Sequence, residues 1–201
     1  TAGAWNNTAP ANTPRRGLGS AGTQTAALAF GGGDPAKTDA TEEYNSGTWS
    51  PAPANMIIAR QGLSGAGTQT AALAFGGVDP AASAATEEYN SGVWGPGGNL
   101  IIARQAGAGA GTQTAALAFG GVDPTVTAAT VEYNSGAWSA SPPNMIIARL
   151  LLAGAGTQTA ALGFGGYPGS QAFTEEYTLP APAFINGFNF SSVTGDTTVK
   201  A

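Results

Sequence analysis

The chain has no cysteine and no histidine among its 201 residues, and lysine occurs only at Lys37 and Lys200. Without cysteine there are no disulfides, no thiolate nucleophile and no sulfur ligand for a metal. Without histidine the commonest acid–base group and the commonest metal ligand are gone. Charge is scarce as well. Asp, Glu, Lys and Arg together make up 9% of the chain, against about 25% in an average globular protein. The seven basic residues form no patch and the net charge is −5, which argues against neutralising nucleic-acid phosphates. No apolar run reaches the roughly 20 residues of a bilayer-spanning helix, so no membrane insertion is expected. No segment keeps a 3.6-residue apolar period, so almost no helix is expected.

What is abundant is small and turn-forming. Gly (31) and Pro (13) total 44 residues, about a fifth of the chain, and hydrophobic residues make up 42%. Scattered at random, so much Gly and Pro would mean disorder. Here they recur at fixed spacings, which means ordered turns. The polar surface must come from Ser, Thr, Asn and Gln, a composition that suits a packed assembly, an extracellular setting or a virion. The chain opens at Thr1 with no signal-like segment, and the expectation is a processed chain or the interior of a longer protein.

The spacing is that of an internal repeat. GTQTAALAFGG begins at Gly22, Gly67 and Gly111 and returns as GTQTAALGFGG at Gly156, so successive copies lie 45, 44 and 45 residues apart. An arginine precedes each copy by seven residues, at Arg15, Arg60, Arg104 and Arg149. A tyrosine follows each double glycine, at Tyr44, Tyr89, Tyr133 and Tyr177, and a tryptophan follows five residues later in three copies, at Trp49, Trp94 and Trp138. Each unit reads as four short strands. GLSGAG (62–67) is small enough for an innermost strand, and Thr68-Gln69-Thr70 is a hairpin turn. AALAF (71–75) alternates Leu73 and Phe75 with Ala72 and Ala74. TEEYN (86–90) is the third strand, and Val93-Trp94 starts a short outer strand. Such a sheet cannot bury both faces alone, and stacking copies face to face would bury Leu, Phe, Tyr and Trp between neighbours. A 44–45-residue period of four strands predicts an all-β propeller.

A strand ending in Gly-Gly, then a spaced Tyr, then Trp, resembles the kelch repeat. The elements are Phe30-Gly31-Gly32/Tyr44/Trp49, Phe75-Gly76-Gly77/Tyr89/Trp94 and Phe119-Gly120-Gly121/Tyr133/Trp138, with Phe164-Gly165-Gly166/Tyr177 lacking the Trp. The resemblance implies a kelch-like β-propeller over residues 1–178, with repeats starting near 15, 60, 104 and 149. It implies no single activity, because kelch propellers serve as binding modules, structural proteins and occasionally enzymes. The strings also resemble those of repeat proteins from environmental phages and bacterial surfaces.

The opening segment GAWNNTAP (3–10) matches GTWSPAPA (47–54), and the fourth repeat stops where its own Trp strand should begin. The expectation is a four-bladed ring in which the Trp5 strand closes the last blade, so that Trp5 would carry as much stability as Trp94. A segment of a larger ring, or a ring shared by several chains, is the competing reading. Residues 179–201 break the repeat, and this tail is expected to cover the ring or contact another chain.

Four sets of recurring residues invite a role. Arg15, Arg60, Arg104 and Arg149 are matched by Glu43, Glu88, Glu132 and Glu176, read as structural ion pairs or else as a charged channel or anion site. Asp34, Asp79 and Asp123 begin Asp-Pro loops. Asp before Pro is an ordinary turn starter, whereas calcium would need several converging oxygens. Gln24, Gln69, Gln113 and Gln158 fall in the GTQT turns and would ring one face with amides, solvated or binding glycan. Trp5, Trp49, Trp94 and Trp138 are read as packing between blades rather than as sugar platforms. Neighbouring carboxylates such as Glu42 and Glu43 point to opposite faces of a strand and cannot flank one glycosidic bond. No enzyme, no cofactor and no metal are expected. The function expected is a structural or attachment module of a virion or cell surface, with a protein or a cell-surface glycan as partner and homo-oligomers possible. A glycan-binding lectin and a protein-binding adaptor are the alternatives.

Overall fold

The computed structural model describes residues 3–122, 124–140, 143–169 and 172–179. These form fifteen β-strands, and no helix occurs among them. Blade 1 is β1 (Gly19–Gly22), β2 (Ala26–Phe30), β3 (Thr41–Asn45) and β4 (Thr48–Pro51). Blade 2 is β5 (Ser64–Gly67), β6 (Ala71–Phe75), β7 (Thr86–Asn90) and β8 (Val93–Pro96). Blade 3 is β9 (Ala108–Gly111), β10 (Ala115–Phe119), β11 (Thr130–Asn134) and β12 (Ala137–Ala140). Blade 4 has three strands, β13 (Ala153–Gly156), β14 (Ala160–Phe164) and β15 (Thr174–Thr178). Every sheet is antiparallel and runs in sequence order from inside to outside. The predicted strands fall where the repeat places them.

The inner strands β1, β5, β9 and β13 pack in succession and line one central opening of about 360 Å³. The protein is therefore a four-bladed β-propeller. The small residues of the inner strands are a steric requirement. A Cβ on Gly65 would lie 2.5 Å from the Ser20 carbonyl oxygen, and one on Gly109 would lie 2.6 Å from that of Gly65.

The core lies between blades. Leu28 and Phe30 of blade 1 meet Ala72, Ala74, Tyr89 and Trp94 of blade 2. Leu73 and Phe75 meet Ala116, Ala118, Tyr133 and Trp138 of blade 3. Leu117 and Phe119 meet Ala161 and Tyr177 of blade 4. Period-2 alternation explains the division. The large residues of each AALAF strand face the next blade, and the alanines leave room on the other face for the previous blade's Phe.

One expectation fails. No residue of 3–10 lies in a strand, blade 4 has no fourth strand among the described residues, and Trp5 is fully exposed. The N-terminal strand therefore does not close the last blade. Nor do β13 and β1 pack as the other neighbouring inner strands do. A strand that pairs with one edge only gains little until its side chains meet a second sheet. Blade 3 offers Phe119 and Thr130 to a tryptophan, but blade 1 does not pack on blade 4 as the other blades pack on each other, so an added outer strand would be covered on one face only. Residues 180–201, most of the tail expected to cover the ring, lie outside the described residues.

Candidate functional site

The repeated residues converge on the interfaces between blades, where each blade makes the same bonds to the one before it. Trp94 Nε1 donates to Thr41 Oγ1 and Trp138 Nε1 to Thr86 Oγ1, both at 2.9 Å. Each indole also meets the preceding blade's phenylalanine edge-on, Phe30–Trp94 at 5.2 Å and Phe75–Trp138 at 5.0 Å between ring centroids. The Tyr hydroxyls donate to the preceding blade's carboxylates, Tyr89 to Glu43 and Tyr133 to Glu88 at 2.5 Å, and Tyr177 to Glu132 at 3.0 Å. Burial, and then the neighbouring carboxylate, push the Tyr89 and Tyr133 hydroxyls well above the ordinary tyrosine range.

The glutamines belong to the same set of contacts. Gln69 Nε2 donates to the carbonyl oxygens of Ala27 (3.2 Å) and Tyr44 (2.7 Å) and to Asn45 Oδ1 (3.1 Å). Gln113 and Gln158 repeat this on blades 2 and 3, reaching Tyr89 O at 2.6 Å and Tyr133 O at 2.7 Å. These amide N–H groups hold blades together, rather than ringing a face open to ligand. Gln24, with no blade before it, is exposed.

Three of the four arginines form ion pairs, but with partners other than the expected ones. Arg15 pairs with Glu42 at 2.9 Å, Arg60 with Glu87, and Arg149 with Glu175 at 2.7 Å. The expected partners Glu43, Glu88 and Glu132 instead accept from tyrosine, and Glu176 is exposed at the end of the series. Parity on the strand decides this. The first Glu of Thr-Glu-Glu-Tyr shares a face with the Tyr and meets its own blade's arginine, while the second faces the next blade. Each guanidinium also bonds backbone oxygens, as Arg149 Nη1 does to Gly165 and Phe173 at 2.8 and 3.0 Å. The carboxylates fasten the incoming chain, Glu42 accepting from Asn12 N at 2.7 Å and Glu87 from Ile57 N at 2.5 Å. Burial pushes the Arg15 and Arg60 guanidinia down, and Glu42 and Glu87 pull them part of the way back. At Arg104 burial acts alone.

Asp34 and Asp79 lie exposed in their loops. Lys37 Nζ of blade 1 meets Asp79 Oδ1 of blade 2 at 3.1 Å, a solvated pair of small energetic weight. Asp123 lies outside the described residues. Among the described residues no three Asp or Glu side chains are grouped so as to hold a metal ion.

The two ends of the series present the halves of this interface that have no counterpart among the described residues. On blade 4, Leu162 is 37% and Phe164 41% exposed, where Leu28, Leu73 and Leu117 are 0% and Phe30 is 0%. On blade 1, the Trp49 and Tyr44 rings meet at a tilt with centroids 5.1 Å apart, yet Trp49 keeps more exposure than its equivalents. Between blades 3 and 4, where a fourth tryptophan would sit, there is a cavity of about 210 Å³ bordered by Phe119, Thr130, Met145 and Tyr177. The repeat made these residue types visible from sequence. Which blade face each would occupy followed only from strand parity, a signal available at Glu42/Glu43 but outweighed by the second glutamate's presence in all four copies.

No protein-family model matches the chain, and no curated protein matches it either.

Proposed function

We propose that the chain is a kelch-like, non-catalytic structural or attachment module of a virion or cell surface, and that it works assembled with further copies of itself. The observation that supports this reading is the pairing of an exposed Trp5 with a cavity of about 210 Å³ between blades 3 and 4. That cavity offers the phenylalanine (Phe119) and the threonine (Thr130) equivalent to those that hold Trp94 and Trp138. Segment 3–10 carries the pattern of an outer strand, and β15 has a free outer edge among the described residues. Adding this segment from a second copy to that edge is β-augmentation. In blades 1 to 3 the outer strand leads straight into the next blade, so the second copy's blade 1 would follow blade 4. Trp49 would then meet Phe164 and Thr174, Tyr44 would meet Glu176, and the Gln24 amide would meet the Ala161 and Tyr177 carbonyls. Scarce charge favours such packing, since few ions need desolvating. The loops at 33–40 and 78–85 would then present one face to a protein or cell-surface glycan.

Sedimentation of the purified chain over a range of concentrations tests this. Self-association is expected, weakened at least about a hundredfold by Trp5→Ala. A chain that stays monomeric at every concentration would end the assembly reading. Saturable binding on a glycan array, lost in Asp79→Ala, would replace the structural role with a lectin's.

A further inference from the structure

Blade 3 departs from the pattern at one residue. Where the other blades carry Glu42, Glu87 and Glu175, it carries Val131, yet it keeps the arginine those carboxylates neutralise. Arg104 is only 3% exposed. Its Nη1 donates to Gly120 O at 3.2 Å and Ala129 O at 2.9 Å, as Arg149 Nη1 does to Gly165 O and Phe173 O. Its Nη2, the atom through which Arg149 holds Glu175, is buried with no hydrogen-bond acceptor among the described residues. Two backbone donors also face a valine here where the other blades offer them a carboxylate. Ile57 N and Ile58 N donate to Glu87, and Ile146 N to Glu175. In blade 3 the equivalent positions are Ile101 and Ile102, and the residue facing them is a valine.

Valine ends one bond short of a carboxyl group. The site therefore keeps the donors of a carboxylate cradle, and the side chain opposite offers no acceptor. A cavity of about 510 Å³ reaches Arg104 and is lined by Ile101, Ile102, Val131, Pro143 and Asn144. A buried guanidinium without a counter-charge is costly, and its planar fork matches a carboxylate's two oxygens.

We infer that this cavity is a binding site for a small monocarboxylate. The head group takes Arg104 Nη2 and the N–H groups of Ile101 and Ile102, and a short apolar tail lies against Ile101, Ile102 and Pro143. The site stands apart from the seam between blades 4 and 1, so it holds whether or not copies assemble.

Thermal unfolding of the full chain in sodium formate, against sodium chloride at equal ionic strength, tests the site, with V131E as the comparison. Formate is expected to raise the wild-type midpoint above that in chloride by about 2–4 °C once it is well above its dissociation constant. V131E, which supplies the carboxylate itself, is expected to start higher and to show no formate effect. A wild-type midpoint no higher in formate than in chloride, or an equal formate response in V131E, would overturn the inference. Should V131E fail to fold, the ¹³C line of labelled formate decides: broadening by the wild-type protein that excess acetate reverses supports the site, and a line as sharp as in buffer overturns it.

Discussion

Trp94→Ala is expected to lower the stability of the propeller by about 3–5 kcal/mol, whereas Trp5→Ala, at concentrations where the chain is monomeric, is expected to change it by no more than about 0.5 kcal/mol. Trp94 is 6% exposed, lies edge-on to Phe30 of the preceding blade at 5.2 Å, and donates to the buried Thr41 hydroxyl at 2.9 Å. Truncation removes a large apolar contact from the middle of an interface, opens a cavity, and leaves Thr41 without its donor. Trp5 follows a glycine by two residues as Trp94 does, and has none of these contacts. Chemical denaturation of the two variants measures the difference. Equal losses would mean that the N-terminal segment is part of the monomer's fold after all.

Glu87→Val is expected to cost about 3–5 kcal/mol, because it leaves a guanidinium buried without its counter-charge. Arg60 is 0% and Glu87 2% exposed at the side chain. The substitution also strips the acceptor from Ile57 N and Ile58 N. Replacing both ions, as in Arg60→Met with Glu87→Leu, removes the stranded charge and is expected to cost clearly less than Glu87→Val alone. Urea midpoints of the single and double variants test this, and a double variant less stable than the single would contradict it. Blade 3, with Val131 facing Arg104, shows that one such site is compatible with the fold. Two would remove a second counter-charge from a chain with little excess stability.

The architecture was legible because it is a consequence of repetition. GTQTAALAFGG at a 44–45-residue spacing marks both the inner hairpin and the face that must be covered. Leu73 and Phe75 on one side with Ala72 and Ala74 on the other already imply a large face meeting a small one. The burial of Arg60, Arg149, Trp94 and Trp138 agrees with the same reasoning. What sequence spacing could not supply was direction across the interface. The turn position of Gln69 suggests a rim, but its amide turns back to the blade before it, because the hairpin tip lies alongside the preceding blade's backbone carbonyls. Recurrence in all four copies points to Glu43 as the arginine's partner, but the alternation of the strand gives that role to Glu42. The pattern around Trp5 suits the last blade, yet the residue is fully exposed. A pattern specifies what a segment can pair with, and packing on both sides decides whether it does.

Each blade is a sheet of three or four strands of four or five residues, with its large side chains covered by a neighbour rather than by itself. The most direct test is therefore circular dichroism and amide dispersion of one blade alone, residues 60–104, beside the full chain. The isolated blade is expected to be unfolded while the full chain unfolds in a cooperative transition. A single blade that holds its sheet without neighbours would show that stability resides within the sheets and not between them.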